Sequence, residues 1–229
     1  MSTSREAQAF TTELRHALEQ AADAARAAAM SAYMKRHFAF FGIPKPARAA
    51  LQKPVFALLG RNPAPSLLTA IAQGLWQYPE RECQYAGCDL LIRHAARLEA
   101  GDLQAVADLI TQRSWWDTVD ALATRVVGEL AARHPALLPT LDAWAVDDNL
   151  WLRRSALLYA LHHGPATDRN RLQAALDANL GHGDFFIRKA MGWALRQFAR
   201  HDPDWVRHYL ASRGEALSGL TRREAARHL

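Results

Sequence analysis

Apolar positions along the chain recur at the three- and four-residue spacing of a helix almost from end to end. Residues 5–29 combine Ala, Leu, Glu and Arg without Gly or Pro and predict one long helix. A shorter helix is expected over 31–41, ending before Gly42-Ile43-Pro44. Pro46 suits the first turn of the next, which reaches Leu59 and which Pro54 should kink or interrupt. The breakers Arg61-Asn62-Pro63-Ala64-Pro65 lead into helices over 66–76 and 80–98. Further helices are expected over 103–111, 115–133, 136–145, 149–162, 168–179, 185–200 and 203–211, with a short one from 221. Strand-like alternation is missing, and the short connections imply antiparallel neighbours.

A longer period is superimposed on this pattern. Tyr85, Asp120, Arg154 and Lys189 fall at similar positions in four of the predicted helices, 35, 34 and 35 residues apart. That period fits stacked helix pairs of the HEAT or armadillo kind. The expected fold is therefore all-α, a HEAT-like repeat solenoid of antiparallel helix pairs that turns corresponding helices toward one concave face. An irregular helical globule is the alternative. One large domain or two small ones would fit 229 residues, and a single domain over 1–229 is the reading taken.

Charge sharpens the picture. Lys and Arg number 28 against 23 acids, and residues 150–229 hold 13 of those bases against only 7 acids. A basic C-terminal third attracts a polyanion, and arginine's rigid donor fork suits phosphate oxygens, so the expected concave face is basic. Charged residues interrupt the alanine run at 5–29, and no later stretch offers eighteen apolar residues. A soluble, cytoplasmic protein without membrane chemistry is expected. Cys83 and Cys88 do not make a disulfide framework. HExxH and CxxC are missing, and His162-His163 has no clear third ligand, so neither a metal nor another cofactor is expected.

Candidate chemistry gathers at three helix starts. In Ser114-Trp115-Trp116-Asp117-Thr118-Val119-Asp120, Ser114 and Asp117 form a plausible capping pair. Trp116 and Asp120 are one turn apart on one face. In Asp148-Asn149-Leu150-Trp151-Leu152-Arg153-Arg154, Asn149 or Asp148 can cap the helix and Trp151 fits the core. Arg154, one repeat beyond Asp120, can either pair with that carboxylate or clamp a DNA phosphate. In Phe185 through Phe198, the residues Lys189, Trp193 and Arg196 share one face, and Gly192 leaves room for a ligand or another backbone. Tryptophans with an acid and an arginine between them suit a flat cationic group. A purine alkylated at N3 or N7 is such a group and also a good leaving group. As its glycosidic bond breaks, Asp120 could stabilise positive charge on the sugar and position water. In Tyr33-Met34-Lys35-Arg36-His37-Phe38, the cations could track a phosphate strand and Tyr33 could pack on sugar. The structural alternative is that Tyr33, Phe38, Phe40 and Phe41 close the end of the core.

With these four motifs in order over nearly the whole chain, the sequence resembles the DNA alkylation repair family, and within it the AlkD-type bacterial alkylpurine DNA glycosylases. The resemblance implies release of N3- and N7-alkylated purines from double-stranded DNA as free bases, leaving an abasic site without base flipping. It implies that Trp116 and Trp193 flank the lesion backbone and sugar, that Asp120 stabilises the charged sugar, and that Arg154 contacts phosphate. Tyr33, Lys35, Arg36, Arg153, Arg188, Lys189 and Arg196 complete the expected DNA contacts, and the protein is expected to act as a monomer. A non-enzymatic module for branched or damaged DNA is the main alternative, and a protein-interaction scaffold a further one, because helical repeats alone do not specify an activity.

Overall fold

Helices carry almost the whole chain in a computed structural model that describes residues 3–229. The fold is all-α and built from HEAT-like helical repeats; among the described residues no strand forms, and an isolated bridge joins Ala39 and Glu80. The contacts divide the chain into two compact units, one ending at Arg113 and the other spanning Ser114–Leu229. None of the helices among the described residues is long and apolar enough to cross a membrane.

The first unit holds α1 (Thr3–Glu19), α2 (Ala24–Tyr33), α3 (Lys45–Ala57), α4 (Pro65–Trp76), α5 (Arg81–Arg93) and α6 (Leu103–Thr111). Helix α4 packs on α1 and α5 around Leu14, Leu18, Leu68, Ile71 and Leu75, all fully buried. Trp76 fills the centre, and its indole N–H donates to the carbonyls of Leu109 and Gln112 at 3.1 and 3.0 Å. A Cβ at Gly87 would lie 2.9 Å from that indole, so the glycine admits the ring.

Two expectations fail in this unit, both through distant contacts. The helix over 5–29 is broken between Glu19 and Ala24: Asp23 donates its N–H to the Phe41 carbonyl at 2.8 Å and caps α2 through Arg26 N–H. Local propensity would have continued the helix; the tertiary pairing overrides it. The helix over 31–41 does not form, because α2 ends at Tyr33 and Lys35 and Arg36 both take left-handed backbone angles, φ 54° and 58°. Behind this turn the buried Glu82 carboxylate accepts the N–H groups of Phe41, Gly42 and Ile43 at 2.9–3.0 Å. Gly42, at φ 88°, lies against the Asp23 carbonyl where a Cβ would come within 2.2 Å. Pro54, expected to kink or interrupt α3, lies inside a helix that continues to Ala57.

The second unit holds α7 (Trp116–Leu122), α8 (Gly128–Arg133), α9 (Leu138–Trp144), α10 (Leu150–Leu158), α11 (Arg169–Asp177), α12 (Phe185–Phe198), α13 (Pro203–Arg213) and α14 (Gly219–Ala225). A π-helical segment, Ala123–Val127, joins α7 to α8, so the predicted helix over 115–133 is continuous but widened in its middle. A Cβ at Gly128 would come within 2.4 Å of the Tyr159 carbonyl, which explains the glycine at this crossing. The core is Leu157, Leu158, Leu161, Leu176, Ile187, Met191, Leu195, Phe198 and Val206, drawn from α10 to α13.

The long period has a structural meaning. Tyr85, Asp120, Arg154 and Lys189 each stand five residues after the N-cap of their helix, the caps being Glu80, Trp115, Asn149 and Asp184. One position earlier, Gln84, Arg153 and Arg188 each donate to the carbonyl six residues back, those of Tyr78, Asp147 and His182. Each donor satisfies main-chain oxygen in the connection before its helix, where no ladder can.

Candidate active site

Asp120 and Arg154 meet across α7 and α10. Arg154 Nε donates to Asp120 Oδ1 at 2.7 Å and Nη2 donates to Oδ2 at 2.8 Å, a bidentate fork. Nη1 donates to the carbonyl of Phe186, and the guanidinium lies 5.8 Å from the Phe186 ring centroid. Arg154 is 3% exposed, while the Asp120 side chain retains 15%. The repeat thus places the guanidinium beside the carboxylate, as regular stacking predicts. Of the two roles open to Arg154, pairing with Asp120 is the one formed, with all three nitrogens engaged inside the protein.

Burial raises the Asp120 carboxyl above the usual aspartate range, with the Arg154 hydrogen bonds and charge acting in the opposite direction. The carboxylate is therefore poorly hydrated but fixed in direction. Its own main-chain carbonyl accepts from Thr124 Oγ1 at 2.8 Å, at the start of the π-helical segment.

Aromatic rings line the starts of the same helices. Phe186 stands 5.1 Å from both Trp115 and Trp151, and these two indoles are 5.9 Å apart, centroid to centroid. Trp151, expected in the core, is only partly buried, and Phe185 beside the cluster is exposed. Asn149 and Asp184 cap α10 and α12 through their side chains. At the start of α7 Trp115 occupies the N-cap position in extended backbone, and its ring packs on Trp151 and Phe186. Trp116 opens α7 one turn before Asp120 and is partly exposed.

On α12, Lys189 and Arg196 both pair with Glu224 of α14, at 2.7 and 2.8 Å. Trp193 is half-buried on the same helix, its ring packed against the core. Gly192 leaves space for another backbone: a Cβ there would come within 2.5 Å of the Glu224 Cβ. Arg153 clasps its helix end, its three nitrogens reaching the Asp147 and Val146 carbonyls and Asn179 Oδ1. Arg188 uses Nε in the same way, at 2.7 Å from the His182 carbonyl.

In the first unit, Tyr33 is 75% exposed, and Lys35 and Arg36 are exposed beside it. Of the residues offered as closing the end of the core, Tyr33 does not, whereas Phe41 is buried at 7% exposure; Met34, next to Tyr33 in the chain, is buried at 3%. Two consecutive non-glycine residues in the left-handed region store backbone strain, held by the Arg36 N–H bond to the Ser31 carbonyl at 2.7 Å. Among the described residues no group of three or more His, Cys, Asp or Glu side chains converges as a metal site. His163 bonds the Gly128 carbonyl instead.

The model of a family described as "DNA alkylation repair enzyme" matches residues 14–229. The chain belongs to the DNA alkylation repair family. A solved structure described as "Predicted DNA alkylation repair enzyme from Enterococcus faecalis" is similar to this member of the family over 91% of its chain and 96% of that one, with 35% identity and a TM-score of 0.84. A search of curated proteins finds no match.

Sequence reasoning about this DNA alkylation repair protein missed three participants. Phe186 is not singled out on its helix, although its ring and carbonyl both reach Arg154. Trp115 carried no role, although it shares its position before a helix with the caps Asn149 and Asp184. Glu224, 35 residues beyond Lys189, could have been found by extending the repeat spacing once more.

Proposed function

We propose that the chain is a DNA glycosylase that hydrolyses the N-glycosidic bond of cationic N3- and N7-alkylated purines in duplex DNA, releasing the free base and leaving an abasic site without base flipping. The observation that supports this reading is the Asp120 carboxylate, fixed by the Arg154 fork, poorly hydrated and beside an aromatic cluster.

The chemistry needs little from the protein. Alkylation already makes the purine a cation, so breaking the bond to C1′ returns the electron pair to the ring and the base leaves neutral. Positive charge then develops on the sugar. A carboxylate that has lost part of its water is attracted to that charge more strongly than a hydrated one, and its direction is set before the reaction begins. Asp120 also accepts a hydrogen bond from the water that attacks C1′; the proton lost from that water passes to solvent. Arg154 is a positioning residue here, because it acts through Asp120. Trp116 and Trp193 pack against the lesion backbone and sugar. Lys189 and Arg196 in the second unit, with Tyr33, Lys35 and Arg36 in the first, contact the DNA backbone.

The test is incubation of the purified chain with methylated duplex DNA in chelator, followed by identification of released 7-methylguanine and 3-methyladenine. Asp120→Asn is expected to keep DNA affinity and to slow release by about 10²- to 10³-fold. Undiminished release from that variant overturns the assignment. Tight binding of forks or junctions with no free base overturns the enzyme reading in favour of a DNA-structure-binding module.

A further inference from the structure

Glu224 takes no part in the excision chemistry above, yet it is 3% exposed and surrounded by cations. It accepts from Lys189 Nζ at 2.7 Å and Arg196 Nη1 at 2.8 Å, with Arg227 Nη2 at 3.2 Å. Lys189 and Arg196 are seven residues apart, two turns of α12, so one carboxylate bridges them along the helix. Trp193 lies between them in sequence and about 40–60° around the helix.

The seating of α14 does not depend on this carboxylate alone. Ser218 caps α14 through Thr221 N–H, and Thr221 Oγ1 donates to the Arg188 carbonyl at 3.0 Å. Gly192 lets the two helices touch. An apolar residue at 224 could fill the same place, since buried ion pairs are often matched in stability by well-packed hydrophobic residues. What an apolar residue could not do is fix the cations. Lys189 and Arg196 keep 38% and 21% exposure while bonded to Glu224, and an ammonium or guanidinium with one hydrogen engaged retains others to donate.

We propose that Glu224 is a positioning residue for DNA engagement, holding Lys189 and Arg196 as a preordered pair of phosphate donors beside Trp193. The inference rests on the glycosylase reading. The long side chains are ordered before DNA arrives, so binding need not order them. A bridging acid also lowers the net charge they present, which trades non-specific affinity for a fixed geometry.

Glu224→Gln tests this by removing the charge with little change of shape. The variant is expected to release base at least 10-fold more slowly when protein is saturating. Its affinity for undamaged duplex is expected to depend more steeply on salt, by up to about 0.9 in the log–log slope, the contribution of one further phosphate contact. Glu224→Asp, which keeps the charge but shortens the reach, should restore the slope and not the rate. A Glu224→Gln variant with both rate and slope of the wild type overturns the proposal. If Glu224→Gln does not fold, Lys189→Gln and Arg196→Gln at partly exposed positions replace it: each should flatten the slope and slow release, and an unchanged slope in both overturns the proposal. A wild-type chain that binds duplex but frees no base defeats the excision reading alone, because the salt slopes still decide the role of Glu224. A wild-type chain that binds no duplex defeats both.

Discussion

Replacing Arg154 by Met removes the guanidinium that fixes Asp120. The loss is larger than that of an exposed ion pair, because Arg154 is 3% exposed and donates to both carboxylate oxygens and to the Phe186 carbonyl. Removing one partner of a buried pair costs about 3–5 kcal/mol, since the remaining charge loses its compensation. For a chain of this size that is roughly 6–20 °C in Tm. Asp120→Asn leaves the guanidinium half-satisfied and should cost roughly 2–4 kcal/mol for the same reason. The double variant Asp120→Asn/Arg154→Met removes both charges, so its loss should fall short of the sum of the single losses by about 1–3 kcal/mol. Urea unfolding of the four proteins, followed by circular dichroism, measures this coupling. Additivity within about 0.5 kcal/mol refutes the argument that the two side chains act as one unit. The same proteins test the chemistry: Arg154→Met leaves burial of Asp120 unopposed and should move the acid limb of base release to higher pH than in the wild type.

Three further outcomes follow from groups outside the site. Glu82→Ala leaves the N–H groups of Phe41, Gly42 and Ile43 without their acceptor and should lower stability by roughly 3 kcal/mol or more in a denaturant melt; a loss below about 1 kcal/mol refutes its role as the clasp of that segment. Cys83 is fully buried, which pushes its thiol up to about 12, and Cys88 is buried too, so a thiol reagent at pH 8 should label the folded protein only at its rate of unfolding; rapid stoichiometric labelling contradicts this. Asp177 beside Arg213, and Glu224 beside Lys189, are held below the usual carboxylate range, so their stabilisation is complete above the unfolded values of about 4 and is lost as pH falls through the folded values. Asp177→Asn and Glu224→Gln should each flatten the fall in Tm on acidification below about pH 5, and Asp120, raised by burial, contributes the opposite slope.

Much of the second unit was legible because its helices begin with recognisable caps and repeat a register. Asn149 and Asp184 mark their helices, and the 34-residue step from Asp120 to Arg154 places a guanidinium near that carboxylate, with its role left open between pairing and phosphate. The first unit was read less well where sequence-distant groups decide local structure. Nothing around Gln20 signals a break; the cause is the Phe41 carbonyl. Nothing in Lys35-Arg36 predicts left-handed backbone, since neither residue favours it. Arg153 and Arg188 are expected at DNA, and charge pattern alone does not show that each also satisfies a carbonyl six residues back.

The widened turn at Ala123–Val127 accommodates one residue more than a regular helix of the same length would hold. Its consequence is a phase difference: Asp120 before it faces Arg154, while Val126 and Val127 within it and Leu130 after it face the interior. Excising a single residue there would restore uniform winding but rotate one half against the other by about 100°, so either Asp120 leaves its partner or the valines leave the interior. That segment is where this helix reconciles two incompatible periodicities, and a one-residue deletion scan across it should find no silent position.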